Sequence, residues 1–228
     1  ILIKSDTTTN YELGMHSQWG DSVIFNGSLY YVDWDDIQVA DVTENGSIPI
    51  ITNGSSARSM GVEMSGQWYI TDALSMSGSY AYTDAELTDD APGLVGAEDG
   101  QDGDRLPGSP EHQAYLAMNY GMPLSDGSDL EFDWSMTFTS DVITKAGERD
   151  NGEELSSFAL HNVSATWFKD AFRVTLYADN VFDKYAKTGV RLDDSFIRQV
   201  EGFDLRRYYH NVVRPRQVGL RFTYNFDG

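Results

Sequence analysis

From Leu74 onward the chain alternates. Leu74, Met76, Tyr80 and Tyr82 fall on even positions, with Ser75, Ser77, Ser79 and Thr83 between them. The period of two returns in Leu130, Phe132, Trp134, Met136 and Phe138, set against Glu131, Asp133, Ser135, Thr137 and Thr139. It returns again where Val218, Leu220, Phe222, Tyr224 and Phe226 alternate with Gln217, Gly219, Arg221, Thr223 and Asn225. Successive side chains of a strand point to opposite faces, so each stretch predicts a strand with one greasy and one wet side. Extended along the chain, the pattern predicts nine strands near residues 9–19, 22–34, 57–69, 74–85, 112–122, 130–141, 156–167, 172–182 and 209–226. No stretch shows a convincing 3.6-residue period, and none reaches the roughly 18 to 20 apolar residues of a membrane helix.

Most of these strands run ten residues or more, longer than the ~5–6 usual in soluble sheets and matched to the ~9–11 that cross a bilayer at a tilt. Their connections alternate. Short ones at Gly20-Asp21, Ile70 to Ala73, Pro123 to Asp129 and Phe168 to Ala171 interleave with long ones at Asp35 to Ser56, Glu86 to Glu111, Val142 to Leu155 and Asp183 to Tyr208. Outer-membrane barrels have short periplasmic turns and longer extracellular loops, so every second connection is expected to be long. On this reading the first strand descends from outside and the ninth descends to a periplasmic C-terminus. Aromatic residues gather at strand ends: Trp19, Trp68, Trp167 and Phe172 beside short turns, and Tyr30, Tyr31, Trp34, Tyr82 and Phe138 near long ones, as two interfacial girdles require. With no helix to cover the greasy face, lipid is its expected cover.

Composition narrows the function. The chain carries 36 acidic and 16 basic residues, a net charge of −20, which excludes a broad basic surface for nucleic acid. The absence of cysteine removes disulfide frameworks and thiolate metal sites. His16, His112, His161 and His210 show no ligand spacing, and no nucleophilic motif accompanies them, so neither an enzyme nor a cofactor is expected. In the long segment from Asp84 to Glu111 the acids Asp99, Asp102 and Asp104 are weak candidates for holding a divalent ion, against the alternative of a solvated surface loop. Basic residues are scarce, so their placement is informative. Arg191, Arg198, Arg206 and Arg207, with Tyr208 and Tyr209, form a candidate patch for an anionic ligand in the last long loop, where Asp193, Asp194, Glu201 and Asp204 are alternative partners.

Several segments together resemble the TonB-dependent outer-membrane receptors. They are Asn10-Tyr11-Glu12-Leu13-Gly14; Asn53-Gly54 followed by Ala57, Ser59, Gly61, Val62 and Glu63; Arg105-Leu106-Pro107-Gly108-Ser109-Pro110-Glu111-His112; Asn180-Val181-Phe182-Asp183-Lys184-Tyr185; and Arg214-Pro215-Arg216-Gln217-Val218-Gly219-Leu220. Each also has a local reading: Asn180 and Asp183 favour turns, and Pro107, Pro110 and Pro215 fit unpaired positions at strand starts. The resemblance implies an all-β, transmembrane antiparallel β-barrel in the outer membrane of a Gram-negative bacterium, with residues 1–228 as the last nine of about 22 strands. It implies energy-coupled import of a scarce nutrient, a ferric siderophore foremost, with a passive porin-like or structural barrel as the alternative. A plug and a coupling box, expected ahead of Ile1, would engage the inner-membrane TonB complex. Outer-membrane lipid, lipopolysaccharide and a small-molecule substrate are further implied partners. Leu220, Phe222, Tyr224 and Phe226 resemble the signal read by the barrel assembly machinery, although here Asp227-Gly228 follow.

Overall fold

The structure is a computed structural model describing residues 3–42, 49–92, 99–149, 152–191, 198–200, 203–205 and 209–226. Nine long strands form one antiparallel meander: β1 (Thr7–Trp19), β2 (Val23–Val42), β3 (Pro49–Tyr69), β4 (Leu74–Leu87), β5 (His112–Pro123), β6 (Asp129–Thr139), β7 (Phe158–Lys169), β8 (Phe172–Asp179) and β9 (Gln217–Tyr224). Each pairs with its neighbours in sequence order, and β1 and β9 form the two edges.

Register turns the alternation into two faces. One row of directly opposed residues runs Trp19, Val23, Trp68, Met76, Met118, Trp134, Val163, Ala178 and Val218, apolar at every strand. Cross-strand partners share a face, so this row lies on one side of the sheet. That face stays open: Trp19, Leu116, Leu176 and Phe222 are 61%, 40%, 55% and 71% exposed. An apolar surface of this extent, with no helix over it among the described residues, has the composition of a lipid-facing wall.

The same row measures the stagger. It lies zero, one, five and six residues from the turn in the hairpins β1–β2, β3–β4, β5–β6 and β7–β8. That is about one residue per strand, and with a rise of ~3.3 Å against a spacing of ~4.8 Å it tilts the strands by roughly 35°. Such a tilt is what transmembrane barrels use to close.

Three expectations need adjustment. β2 and β3 run on to Val42 and from Pro49, so most of the expected loop from Asp35 to Ser56 is a paired ribbon standing above β1. The last expected strand divides: Tyr209–Val212 pairs with Lys187–Arg191 in a separate hairpin, and β9 begins only at Gln217, with Pro215 unpaired before it. Finally, Tyr30 and Trp34 leave the outer girdle for the polar face. There the Tyr30 hydroxyl meets the Thr83 hydroxyl at 2.8 Å and Trp34 Nε1 donates to Asp6 at 3.0 Å. The reason is parity, since Tyr30 and Trp34 are even-numbered on a strand whose apolar row, Val23, Phe25, Leu29 and Tyr31, is odd.

Candidate functional site

At the end of the sheet opposite the short turns, the long connections pack into a layer of their own. Its centre is apolar: Leu87 and Ala91 are fully buried together with Ile37, Ala57 and Ala146, and Trp34 and Leu106 pack against them. The segment after β4 is held by backbone pairing of Glu86 with Arg105 and of Ala91 with Gly100. It docks onto β3, where the Thr88 N–H donates to the Ser56 carbonyl at 2.9 Å and Ser55 Oγ donates to the Asp89 carbonyl at 3.1 Å.

Two arginines fasten it sideways. Arg105 Nη1 donates to Asp141 Oδ2 at 2.8 Å, and its Nη2 donates to the Asp141 and Ser109 carbonyls at 2.9 and 3.1 Å. Arg149 grips Asp104 with both Nε and Nη2, and also donates to Gln101 Oε1 at 2.9 Å. These bonds favour the charged carboxylates, so the Asp104 carboxyl is lowered mainly by Arg149 and the Asp141 carboxyl mainly by Arg105. A third junction ties the Lys187–Arg191 hairpin to the β6–β7 connection. Glu153 accepts from Lys187 Nζ and lies 2.7 Å from His210 Nε2, and both partners lower its carboxyl, Lys187 the more.

These ties surround a cavity of about 530 Å³ at the upper edge of the polar face. Pro107 and Pro110 wall it from one loop, Val142, Ile143 and Leu155 from the next, and Lys187 and Val190 from the hairpin, with Gln113, Thr139 and Phe158 below. Among the described residues that line it none is acidic and Lys187, paired with Glu153, is the one charged group, although the chain has 36 acids. It is apolar with scattered hydroxyls and amides, the usual character of a small-molecule site. A broader concavity of about 800 Å³ lies below, on the polar face from β1 to β6, lined by Glu12, His16, Asn26, Glu63 and Thr137 among others.

The candidate residues from sequence distribute unevenly. Asp104 is engaged by Arg149, Asp102 is exposed with its N–H donating to Asp90 Oδ1 at 3.2 Å, and Asp99 is exposed. Among the described residues no three His, Asp or Glu side chains gather as a metal site. Arg191 and Arg198 sit in the short strands Lys187–Arg191 and Arg198–Val200, opposite Tyr209 and Leu205, but their side chains lie outside what the structure describes. Arg206, Arg207 and Tyr208 lie outside the described residues, and Tyr209 is 55% exposed. Leu220, Phe222, Tyr224 and Phe226 are all exposed, with Tyr224 in ring contact with Phe172 and Phe226. Sequence reasoning missed Lys187 and Glu153. The one available signal was the scarcity of basic residues, which makes each of them informative.

A tilted meander with a lipid-type outer face, short turns at one end and a packed loop layer at the other is the architecture of an outer-membrane barrel wall. Residues 2–181 match the family model for the TonB dependent receptor-like β-barrel, and the chain belongs to that family. The barrels of this family are walls of the Gram-negative outer membrane, and the family is a transport class and not a catalytic one. Among solved structures the chain is similar to the ferric yersiniabactin uptake receptor FyuA from Yersinia pestis, at 18% identity and a TM-score of 0.75 over 97% of this chain and 30% of that one. The siderophore receptor PiuA from Acinetobacter baumannii matches at 16% identity and a TM-score of 0.72, over 95% of this chain and 28% of that one. The copper transporter OprC matches at 19% and 0.67, over 99% and 32%. The chain thus spans about a third or less of these proteins' lengths.

Proposed function

We propose that this chain is the C-terminal sector of a closed barrel of about 22 strands that imports a ferric siderophore by energy coupling to the inner membrane. The short turns face the periplasm and the loop layer faces outside. A plug fills the lumen and responds to the TonB complex, and the exposed apolar residues Leu220, Phe222 and Tyr224 of β9, with Phe226 just beyond it, serve the assembly machinery. The observation that carries the substrate reading is the upper cavity: no acid is among the described residues that line it, the Lys187 side chain, paired with Glu153, stands in its wall, and it is of a size for a small chelate. A bare copper ion is a poorer fit, because no His or Met is among the described residues lining the cavity and soft or imidazole ligands are what that ion selects. Arg191, Arg198, Arg206, Arg207, Tyr208 and Tyr209 belong to the same reading as outer contacts for an anionic ligand.

The test is uptake in cells lacking the gene and complemented with the full-length protein. Radiolabelled ferric siderophores should enter with wild type, and Lys187→Glu, which turns the Lys187–Glu153 pair into two facing carboxylates, should weaken binding of an anionic chelate about tenfold. Entry of copper without any ferric chelate would overturn the siderophore reading.

A further inference from the structure

The apolar side of the wall ends at an arginine on two distant strands. On β3, Trp68, Gly66, Met64, Val62 and Met60 occupy successive positions on that side, and Arg58 is the next toward the loops. On β9 and just beyond it, Phe226, Tyr224, Phe222, Leu220 and Val218 do the same, and the next alternate position is Arg216. Each apolar run spans eight residue steps. At ~3.3 Å per residue and a tilt of roughly 35° that is about 22 Å along the barrel axis, close to the ~25 Å of a hydrocarbon-facing band. Both arginines therefore stand where lipid headgroups begin.

The two places differ in how that charge is met. Arg58 lies between Asp33 and Glu86 in one row of partners, and its Nη2 is 2.8 Å from Glu86 Oε1. Arg105, next in that row, pairs with Asp141. Around Arg216 the charge is mostly of one sign. Asn180 accepts the Lys184 N–H and donates to the Arg214 carbonyl, and Asp183 accepts the Arg216 N–H, so the turn after β8 gathers three basic residues by their backbones. All three are exposed, and among the described residues none is ion-paired. Asp183 is the one acid between Asn180 and Ala186, and Asp179 lies on the polar face opposite Gln217.

Aromatic rings climb from the apolar row to this corner. The Trp134 and His161 ring centres are 5.9 Å apart, and Phe182 meets His161 edge-on at 5.0 Å. The Val181 N–H donates to the His161 carbonyl at 2.8 Å, and Arg216 Nη1 donates to the Val181 carbonyl at 3.3 Å. A guanidinium is thus held beside the backbone of Phe182, whose side chain is 72% exposed.

We propose that this corner is a headgroup site for an outer-leaflet lipid bearing a phosphate monoester. Lys184, Arg214 and Arg216 hold the phosphate, and the acyl chains lie against Phe182, Trp134 and Val218. A guanidinium fork matches phosphate geometry, and a monoester of charge near −2 calls for several cations together, which a zwitterionic headgroup does not. A chain with 16 bases against 36 acids spends three of those bases here without counter-charge. The proposal rests on the reading above that the loop layer faces outside.

The test titrates lipid A and its dephosphorylated form against the full-length protein, delipidated in detergent, with bound copies counted by native mass spectrometry. Wild type should hold one more lipid A than the triple variant Lys184→Gln, Arg214→Gln, Arg216→Gln, which should need about tenfold more lipid to regain it. Arg58→Gln with Glu86→Gln, a matched pair at the same level, should bind like wild type. The dephosphorylated lipid should not distinguish the three proteins. Heat-dependent gel mobility, unchanged in each variant, shows that the wall is folded. Equal counts for wild type and the triple variant, or dephosphorylated lipid bound as well as lipid A, would overturn the site and leave the import reading standing. Inorganic phosphate bound as tightly as lipid A would overturn the lipid assignment. In intact cells Asn211→Cys, with any other cysteine replaced, should react with a maleimide too large to cross the outer membrane. Reaction only after the cells are broken would place the loop layer inside and overturn the import reading together with the site.

Discussion

Asn180 shows how one side chain closes a large excursion. It is buried at a positive φ of 48°, its Nδ2 donates to the carbonyls of Lys184 and Arg214 at 2.9 Å each, and its Oδ1 accepts from the Lys184 N–H at 2.8 Å. Asp183 does the same from the other side, accepting from the Arg216 N–H at 2.8 Å. Together they pinch the base of the last connection, so the turn preference legible in the sequence becomes a clamp between two segments more than thirty residues apart. The loop carboxylates work by charge. Because Asp104, Asp141 and Glu153 have lowered folded values, the stability they add is full above the unfolded value near pH 4 and is lost as pH falls through the still lower folded values. Limited proteolysis of the loop layer should therefore be flat from pH 7 to about 5 and accelerate below about 4. Replacing Asp104 by Asn should cost the loop about 1–3 kcal/mol and bring that acceleration to neutral pH. Protection that instead fails between pH 7 and 6 would point to a histidine and contradict this account.

At the scale of elements, the wall was legible and the loop layer was not. A strand that faces lipid on one side and water on the other must alternate, so β4, β6 and β9 declare themselves in any ten-residue window. The ribbon of β2 and β3 above Asp35 did not, because there the alternation passes into Asp36, Ile37 and Gln38 and the register shifts at a bulge between Trp34 and Ile37. Nor was the packing of the β4–β5 connection readable, since its core is built from small residues, Ala57, Ala91 and Ala146, that have no strong periodic signature. Ile37 is the ribbon's contribution to that core. Ile37→Asp should bury an unpaired charge among apolar neighbours and destabilise the layer by several kcal/mol, on the order of 3. The expected result is rapid cleavage between residues 88 and 111 with unchanged heat-modified mobility of the wall. Simultaneous loss of the wall would show that the layer and the barrel fold as one unit.

For the whole molecule, the charge of −20 resolves by location. The apolar row across the nine strands contains none of it, while the loop layer and the polar face carry acids paired with Arg105, Arg149 and Lys187 or grouped around Glu131. Among the described residues, acids are missing from the lining of the upper cavity, which carries the substrate reading. That absence spans three connections far apart in sequence, so no local motif announces it, and only the fold assembles it. The apolar face and the polar face together make the central claim that this sheet is a sector of an outer-membrane wall.

The most direct test of that claim uses single cysteines: these 228 residues have none, and any cysteine elsewhere in the full-length protein is first replaced. Cysteine placed in turn at each position from 130 to 139 of β6, in full-length protein embedded in outer membrane, should react with a water-soluble maleimide in strict alternation. Positions 131, 133, 135, 137 and 139 should label, and positions 130, 132, 134, 136 and 138 should instead respond to a quencher dissolved in the bilayer. Uniform labelling along the strand, or an alternation of opposite phase, would contradict the account.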